Sequence, residues 1–222
     1  TTDKNGQASV DGLYLGDYYV KEISPSVGYL ADETEHDLVC NYEGDLVAEV
    51  KRDCTSLEQV MKQPFQIIKA ANNGKTDADL LKGAGFTAYL ESSLTKKADG
   101  SYDFDSATPV VIGENGATEM FTDEKGYACS IALPYGTYIV RETTTPHNYT
   151  PVDDFTVRIT ENNPNQPQTW RVLLDDEFEA KLKIIKQDDE TKKPVLQKNT
   201  EFKIYDLDHK KYVEQVTTYP TT

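Results

Sequence analysis

Basic residues are scarce in this 222-residue chain: 23 lysines and arginines stand against 38 aspartates and glutamates, for a formal charge of −15. Such a surface repels nucleic-acid phosphates and anionic lipid, so neither nucleic acid nor membrane is an expected partner. Cysteine is rare as well. Cys40, Cys54 and Cys129 show no CxxC or zinc spacing, which argues against a disulfide framework and leaves room for one pair at most. The three histidines, His36, His147 and His209, have no HExxH pattern or Ser/Asp partners at recognisable spacing, so a conventional hydrolase lacks its motif. The Asp-x-Asp pairs at 77/79, 103/105 and 206/208 lack the rest of a calcium loop, and "KGAGF" is no phosphate loop. No cofactor or metal is implied. No stretch approaches the roughly 18 apolar residues needed to span a membrane. The chain opens Thr-Thr-Asp-Lys without a leader pattern and reads as part of something longer. "NYT" at 148–150 fits a glycosylation sequon.

What is present favours β-structure. Fourteen tyrosines, many threonines and valines, and Gly and Pro punctuation read as short strands and turns, with no amphipathic helix beyond about three turns. Compared with itself, the chain repeats. "TTDKNGQASVDGLYLGDYYVKEISPSVGY" (1–29) matches "FTDEKGYACSIALPYGTYIVRETTTPHNY" (121–149), with Thr2/Thr122, Asp3/Asp123, Gly6/Gly126, Gly16/Gly136, Tyr18/Tyr138, Val20/Val140 and Glu22/Glu142 identical. A second match joins "FQIIKAANNG" (65–74) to "LKIIKQDDET" (182–191), placing Lys69 against Lys186. Together they predict one complete module over 64–175. The C-terminal part of a preceding module would occupy 1–63, and the N-terminal part of a following one 176–222. No Pro- or Ser-rich linker separates them, so "WRVLLDDEFEAKLKIIK" predicts a stiff joint. Strands are expected near 64–70, 84–91, 109–112, 118–122, 127–132, 136–142, 154–160 and 168–175, with a surface excursion at 92–108. The fold class is all-β: tandem antiparallel β-sandwich modules, one complete and two partial.

Alternation along the strands then sorts the charges. Phe65, Ile67 and Lys69 share a face, as do Leu182, Ile184 and Lys186; Tyr138 and Val140 share theirs with Glu142, as Tyr18 and Val20 do with Glu22. The last strand, "WRVLLDD", ends in Asp175 and Asp176. An amine and carboxyls aimed into one apolar core are costly as separate charges. Low dielectric favours the neutral amine and neutral acid, and a neutral amine is a nucleophile. Held together by the fold, such an amine can condense with a side-chain carboxyl or carboxamide while a second acid moves the protons. The competing reading is an amine that reaches the sandwich edge and forms a salt bridge with Glu142.

"GTYIVRETTTP" and "GDYYVKEISPSVGY", with first strands ending in Ile-Ile-Lys, resemble the B-type repeat of the collagen adhesin Cna, one of the SpaA-like, prealbumin-type modules of Gram-positive surface adhesins and pilins. The resemblance covers nearly the whole chain. It implies an inverse immunoglobulin-like sandwich and an autocatalytic isopeptide bond from Lys69 to an Asn or Asp of the last strand, with Glu142 as catalytic acid. Glu22 and Lys186 would be the equivalent acid and amine of the partial modules. The usual Asn position, counted from Val172, is occupied by Leu174; Asp175 is the first replacement, reached by a twist or bulge, and Asp176 the second. The implied protein is a stalk or adhesion module at a Gram-positive cell surface and not a turnover enzyme. Its partners would be neighbouring modules, with head-to-tail self-association bringing Lys186 to Glu22 of another copy. The alternative function is a module binding host glycan or protein without the bond, through the excursion or an intersheet groove.

Overall fold

The computed structural model describes residues 1–73, 78–178, 182–196, 200–207 and 210–213. Asp77, Asp208, His209 and residues 179–181 of the expected stiff joint lie outside the described residues. The chain divides into two units, Thr1–Phe178 and Glu179–Thr222.

In the first unit the leading residues form two antiparallel pairs. Strand β1 (Gly16–Val20) pairs with β3 (His36–Cys40), and β2 (Tyr29–Leu30) with β4 (Gln59–Val60). β5 (Lys62–Gln63) then pairs across to β12 (Leu133–Pro134), which ties this region to the sandwich. Gly28 sits at that junction with φ +88°, and a Cβ there would run into the Tyr135 ring. Only glycine satisfies both the left-handed backbone and the close approach.

The sandwich itself comprises β6 (Gln66–Asn72), β7 (Gly85–Leu90), the hairpin β8 (Thr95–Lys96) and β9 (Tyr102–Asp103), β10 (Glu119–Phe121), β11 (Tyr127–Cys129), β12, β13 (Gly136–Thr144), β14 (Phe155–Ile159) and β15 (Arg171–Asp176), in chain order. These strands build a four-stranded sheet, β10-β7-β13-β14, facing a three-stranded sheet, β11-β6-β15. All pairings are antiparallel except one: the first and last strands, β6 and β15, run parallel in unbroken register from Arg171↔Ile67 to Asp176↔Asn72. Inward side chains from both sheets form one core, including Phe65, Ile67, Phe86, Val140, Val157 and Ile159, each with no exposed surface.

Two expectations change in detail. Residues 109–112 form no ladder. Val110 N–H donates to Ala88 O at 2.9 Å and Ile112 O accepts from Ile131 N–H at 2.8 Å, but Pro109 has no N–H to give and Gly113 comes directly after Ile112. Ile112 is nevertheless fully buried. The excursion at 92–108 folds back as a hairpin. Phe104 meets Tyr89 edge-on at 5.0 Å and lies under the Arg141 guanidinium at 4.2 Å. Ile139, which pairs with Tyr89 across the ladder, is buried although it points away from the main core.

The repeat is visible in local geometry. Asp3 Oδ1 accepts from the N–H groups of Asn5 and Gln7, as Asp123 Oδ1 accepts from Lys125 and Tyr127. Tyr18 Oη donates to Tyr14 O at 2.7 Å, as Tyr138 Oη donates to Pro134 O at 2.8 Å. In the second unit, β16 (Tyr205–Asp206) and β17 (Lys211–Tyr212) form a hairpin. Residues 182–186 form no strand, and Leu182 and Ile184 are exposed: no ladder partner covers them among the described residues.

Candidate functional site

Three charged side chains converge inside the sandwich. Lys69 lies mid-way along β6, and its backbone is held from both sides: its N–H donates to Gly126 O at 2.7 Å, and its carbonyl accepts from Leu81 N–H at 2.9 Å. Gly126, at φ +64°, makes this approach possible, since a Cβ there would strike the Lys69 carbonyl. Continuing the row of Phe65 and Ile67, the Lys69 side chain enters the core with no exposed surface. Its Nζ donates to Glu142 Oε2 at 2.7 Å and to Asp175 Oδ1, and it stands 5.7 Å from the centre of the Phe86 ring.

Glu142 extends the inward row of Tyr138 and Val140 on β13, opposite β6. Its Oε2 also accepts from Val152 N–H at 3.1 Å, which fixes the carboxyl toward Lys69. Asp175 arrives from β15, and here the expected phase of the strand is corrected. Val172 and Leu174 face outward, 64% and 47% exposed, whereas Leu173 and Asp175 face inward. Counting two residues on from the inward apolar Leu173 gives Asp175, so no bulge is required, and the register with β6 is continuous. Asp176 points outward and accepts from Asn72 Nδ2 at 2.6 Å.

The electrostatics follow from burial. All three side chains are fully enclosed. Desolvation raises the Glu142 pKa against the opposing pull of Lys69 and the Val152 N–H, and desolvation likewise raises that of Asp175 against Lys69. Glu142 Oε1 and Asp175 Oδ2 are buried without a hydrogen-bond partner. One proton shared by the two carboxyls makes the triad neutral. Shifting a second proton from ammonium to carboxylate gives an uncharged amine beside two uncharged acids with the same proton count.

A related but emptier arrangement occurs in the leading region. Glu22 Oε2 accepts from Asp32 N–H at 2.6 Å, ten residues on, as Glu142 does from Val152. Its pKa is raised, first by a hydrogen bond to Glu58, whose own pKa is lowered by the same bond. Glu58 occupies the place of Asp175: it stands eleven residues before the lysine of the next Ile-Ile-Lys, as Asp175 stands eleven before Lys186. Sequence reasoning missed Glu58, and that spacing was the signal that could have found it. No lysine pairs with either acid among the described residues. Lys186 lies in the second unit, half-buried, donating to Thr200 Oγ1 at 2.7 Å.

The remaining candidates have ordinary roles. His36 Nε2 lies 3.0 Å from Asp32 Oδ2, which Ser56 Oγ also reaches at 2.9 Å. Asp103 Oδ1 accepts from Asp105 N–H in a turn. The three cysteines are unbridged. Among the described residues, no group of three or more His, Cys, Asp or Glu is arranged to hold a metal, and no helix is long and apolar enough to cross a membrane.

Residues 1–53 and 64–171 match the SpaA prealbumin-like fold domain. No curated protein matches. Among solved structures, the Bacillus anthracis TIE protein is 27% identical with a TM-score of 0.50, over 79% of this chain and 28% of its own. The chain thus spans little more than a quarter of that protein. The C-terminal domain of the shaft pilin SpaA from Lactobacillus rhamnosus GG is 20% identical (TM-score 0.35; 53% of this chain, 99% of that one). GBS52, the minor pilin of Streptococcus agalactiae, is 16% identical (TM-score 0.43; 83% of this chain, 70% of that one).

Proposed function

The chain belongs to the SpaA prealbumin-like fold domain family, and from that premise we propose that it is a structural module of a Gram-positive surface protein, clamped by an isopeptide bond between Lys69 and Asp175. The observation that carries this reading is the Lys69 amine touching both Glu142 and Asp175 in a sealed apolar core. Glu142 is the acid–base residue. In the neutral microstate, Lys69 Nζ attacks the Asp175 carboxyl carbon while Glu142 donates a proton to its oxygen and recovers one from nitrogen. The C–N bond forms, the C–O bond breaks, and one water leaves. An ammonium and a carboxylate are replaced by an uncharged amide whose N–H points at Glu142, so the core sheds the desolvation cost of an ion pair. Proximity supplies the drive, since oriented intramolecular groups reach effective concentrations of about 10⁵ M or more.

The bond joins the first and last strands of a parallel pair, which are the strands a pull on the two chain ends would shear apart. This arrangement suits a stalk or pilus-like shaft and calls for no turnover enzyme. The boundaries 1–63, 64–175 and 176–222 are part of the same proposal, as is an extracellular, wall-associated setting. The Glu22–Glu58 pair would accept a strand whose apolar row ends on a lysine. Leu182, Ile184 and Lys186 form such a row, so head-to-tail association of copies is the matching partner scheme, testable by light-scattering mass. The alternative of a bond-free ligand module gains no support at the excursion, whose Phe104 packs on Tyr89 of the body while Tyr102 packs on Phe104.

Intact mass spectrometry under denaturing conditions tests the bond. The chain is expected about 18 Da below its sequence mass, with the deficit absent in Lys69→Ala. A wild-type chain at full sequence mass would overturn the proposal.

A further inference from the structure

The only tryptophan of the chain is not in the core. Trp170 is 55% exposed, immediately before β15, and Tyr127 braces its ring at 5.5 Å. An exposed indole held in place by a second ring offers a flat apolar platform with a polar N–H, the kind of surface on which a ligand ring can stack. Trp170 borders a groove of about 770 Å³ floored by the 160–171 segment.

The groove is walled by carboxamides held in a fixed network. Gln63 and Gln66 are each only 8% exposed. Gln66 Nε2 donates to Gln168 O at 2.8 Å while its Oε1 accepts from Tyr127 Oη at 3.2 Å. Gln63 Nε2 donates to Gln166 O at 3.3 Å, and Gln168 Nε2 to Arg158 O at 2.6 Å. Gln168 Nε2 also reaches Gln63 Oε1 at 3.4 Å, so both of its hydrogens are committed, whereas Gln63 and Gln66 each commit one and carry a second.

Arg171 supplies the groove's positive charge. Its guanidinium is half-buried, and burial lowers its pKa. Nη1 donates to Gln168 Oε1 at 3.2 Å, yet no carboxylate pairs with it among the described residues, in a chain with 38 acids. Glu161, also at the rim, accepts instead from Asn163 Nδ2 at 3.3 Å. A desolvated guanidinium without a counter-charge is costly unless something supplies one.

We propose that this groove binds a carboxylate-bearing saccharide: the C–H face of a pyranose ring stacks on Trp170, its carboxylate pairs with Arg171, and its hydroxyls bond to the amides of Gln63 and Gln66. A bidentate guanidinium–carboxylate pair gives such a site its preference for acidic over neutral rings. The proposal is independent of the cross-link, which lies in the core.

Because Trp170 is the sole tryptophan, its fluorescence reports this site. The probe is a tetrasaccharide of alternating glucuronic acid and N-acetylglucosamine, titrated into the whole chain. A saturable change in emission is expected. Affinity should fall about tenfold or more when the sugar carboxyls are reduced to alcohols, and by a similar factor in Arg171→Gln. In Arg171→Gln the two sugars should bind alike, while the melting temperature of that variant stays near the wild type's. No emission change at millimolar sugar, equal binding of the reduced sugar, wild-type affinity in Arg171→Gln, or an equal response to dextran sulfate would each overturn the proposal.

Discussion

Replacing Glu142 by glutamine separates the bond from the contacts around it. The amide is nearly isosteric, can still accept from the Val152 N–H, and leaves Lys69 and Asp175 in contact as a balanced pair. It cannot pass a proton from amine to leaving oxygen, so condensation should stop. Lys69 and Asp175 are 106 residues apart in sequence. Closing a loop of that length removes unfolded-state entropy worth about 4.7 kcal/mol. For a module of this size, that loss corresponds to a fall in melting temperature of roughly 15–25 °C. The assay is calorimetry or far-UV circular dichroism on material whose intact mass has been measured. Glu142→Gln should carry no 18 Da deficit and melt near an Asp175→Ala control, both well below the wild type. A Glu142→Gln chain that still shows the deficit would remove Glu142 from the chemistry. A chain lacking the deficit but melting with the wild type would remove the mechanical rationale.

With Lys69→Met, two buried carboxyls keep raised pKa values and lose their cation. The folded state then holds protons that the unfolded chain has released, so stability should fall as pH rises from about 4 through the raised folded values; urea midpoints at pH 4.5 and 7.5 read this, and a flat or rising trend would contradict it. Asp176→Ala should leave the mass deficit intact, because that side chain faces outward; loss of the deficit would make it the acceptor. Gly28→Ala forces a Cβ toward Tyr135 at φ +88° and should loosen the β5–β12 junction by about 1–3 kcal/mol. Hydrogen exchange at the Met61 and Tyr135 amides should accelerate while that at Lys69 does not, and uniform protection would show that the junction tolerates the change.

Much of the site could be read from the residues because strand periodicity is robust where one face is buried. Lys69 and Glu142 each end an apolar row, and both rows are enclosed as alternation requires. The phase of the last strand was harder. "VLLDD" places apolar residues on both faces, so alternation alone does not say whether Val172 or Leu173 points inward; pairing with β6 decides it, and that is a tertiary fact. Glu58 was overlooked for a different reason: it lies in a stretch without apolar alternation, and only its spacing to Lys69 marks it. The irregular 109–112 segment keeps Ile112 in the core, because burial demands an apolar side chain there while Pro109 denies the ladder its donor. Trp170 heads the outward row of Val172 and Leu174, and alternation marks that row as apolar without saying whether the fold covers it.

The parallel course of β6 and β15 has a consequence for damage. With the bond closed, residues 69 to 175 form a covalent ring, and the surface turn at 97–100 lies on it. A protease that cuts this turn opens the ring but releases no fragment. Anything tethered beyond Asp175 stays attached to whatever precedes Lys69, through a single side-chain bridge.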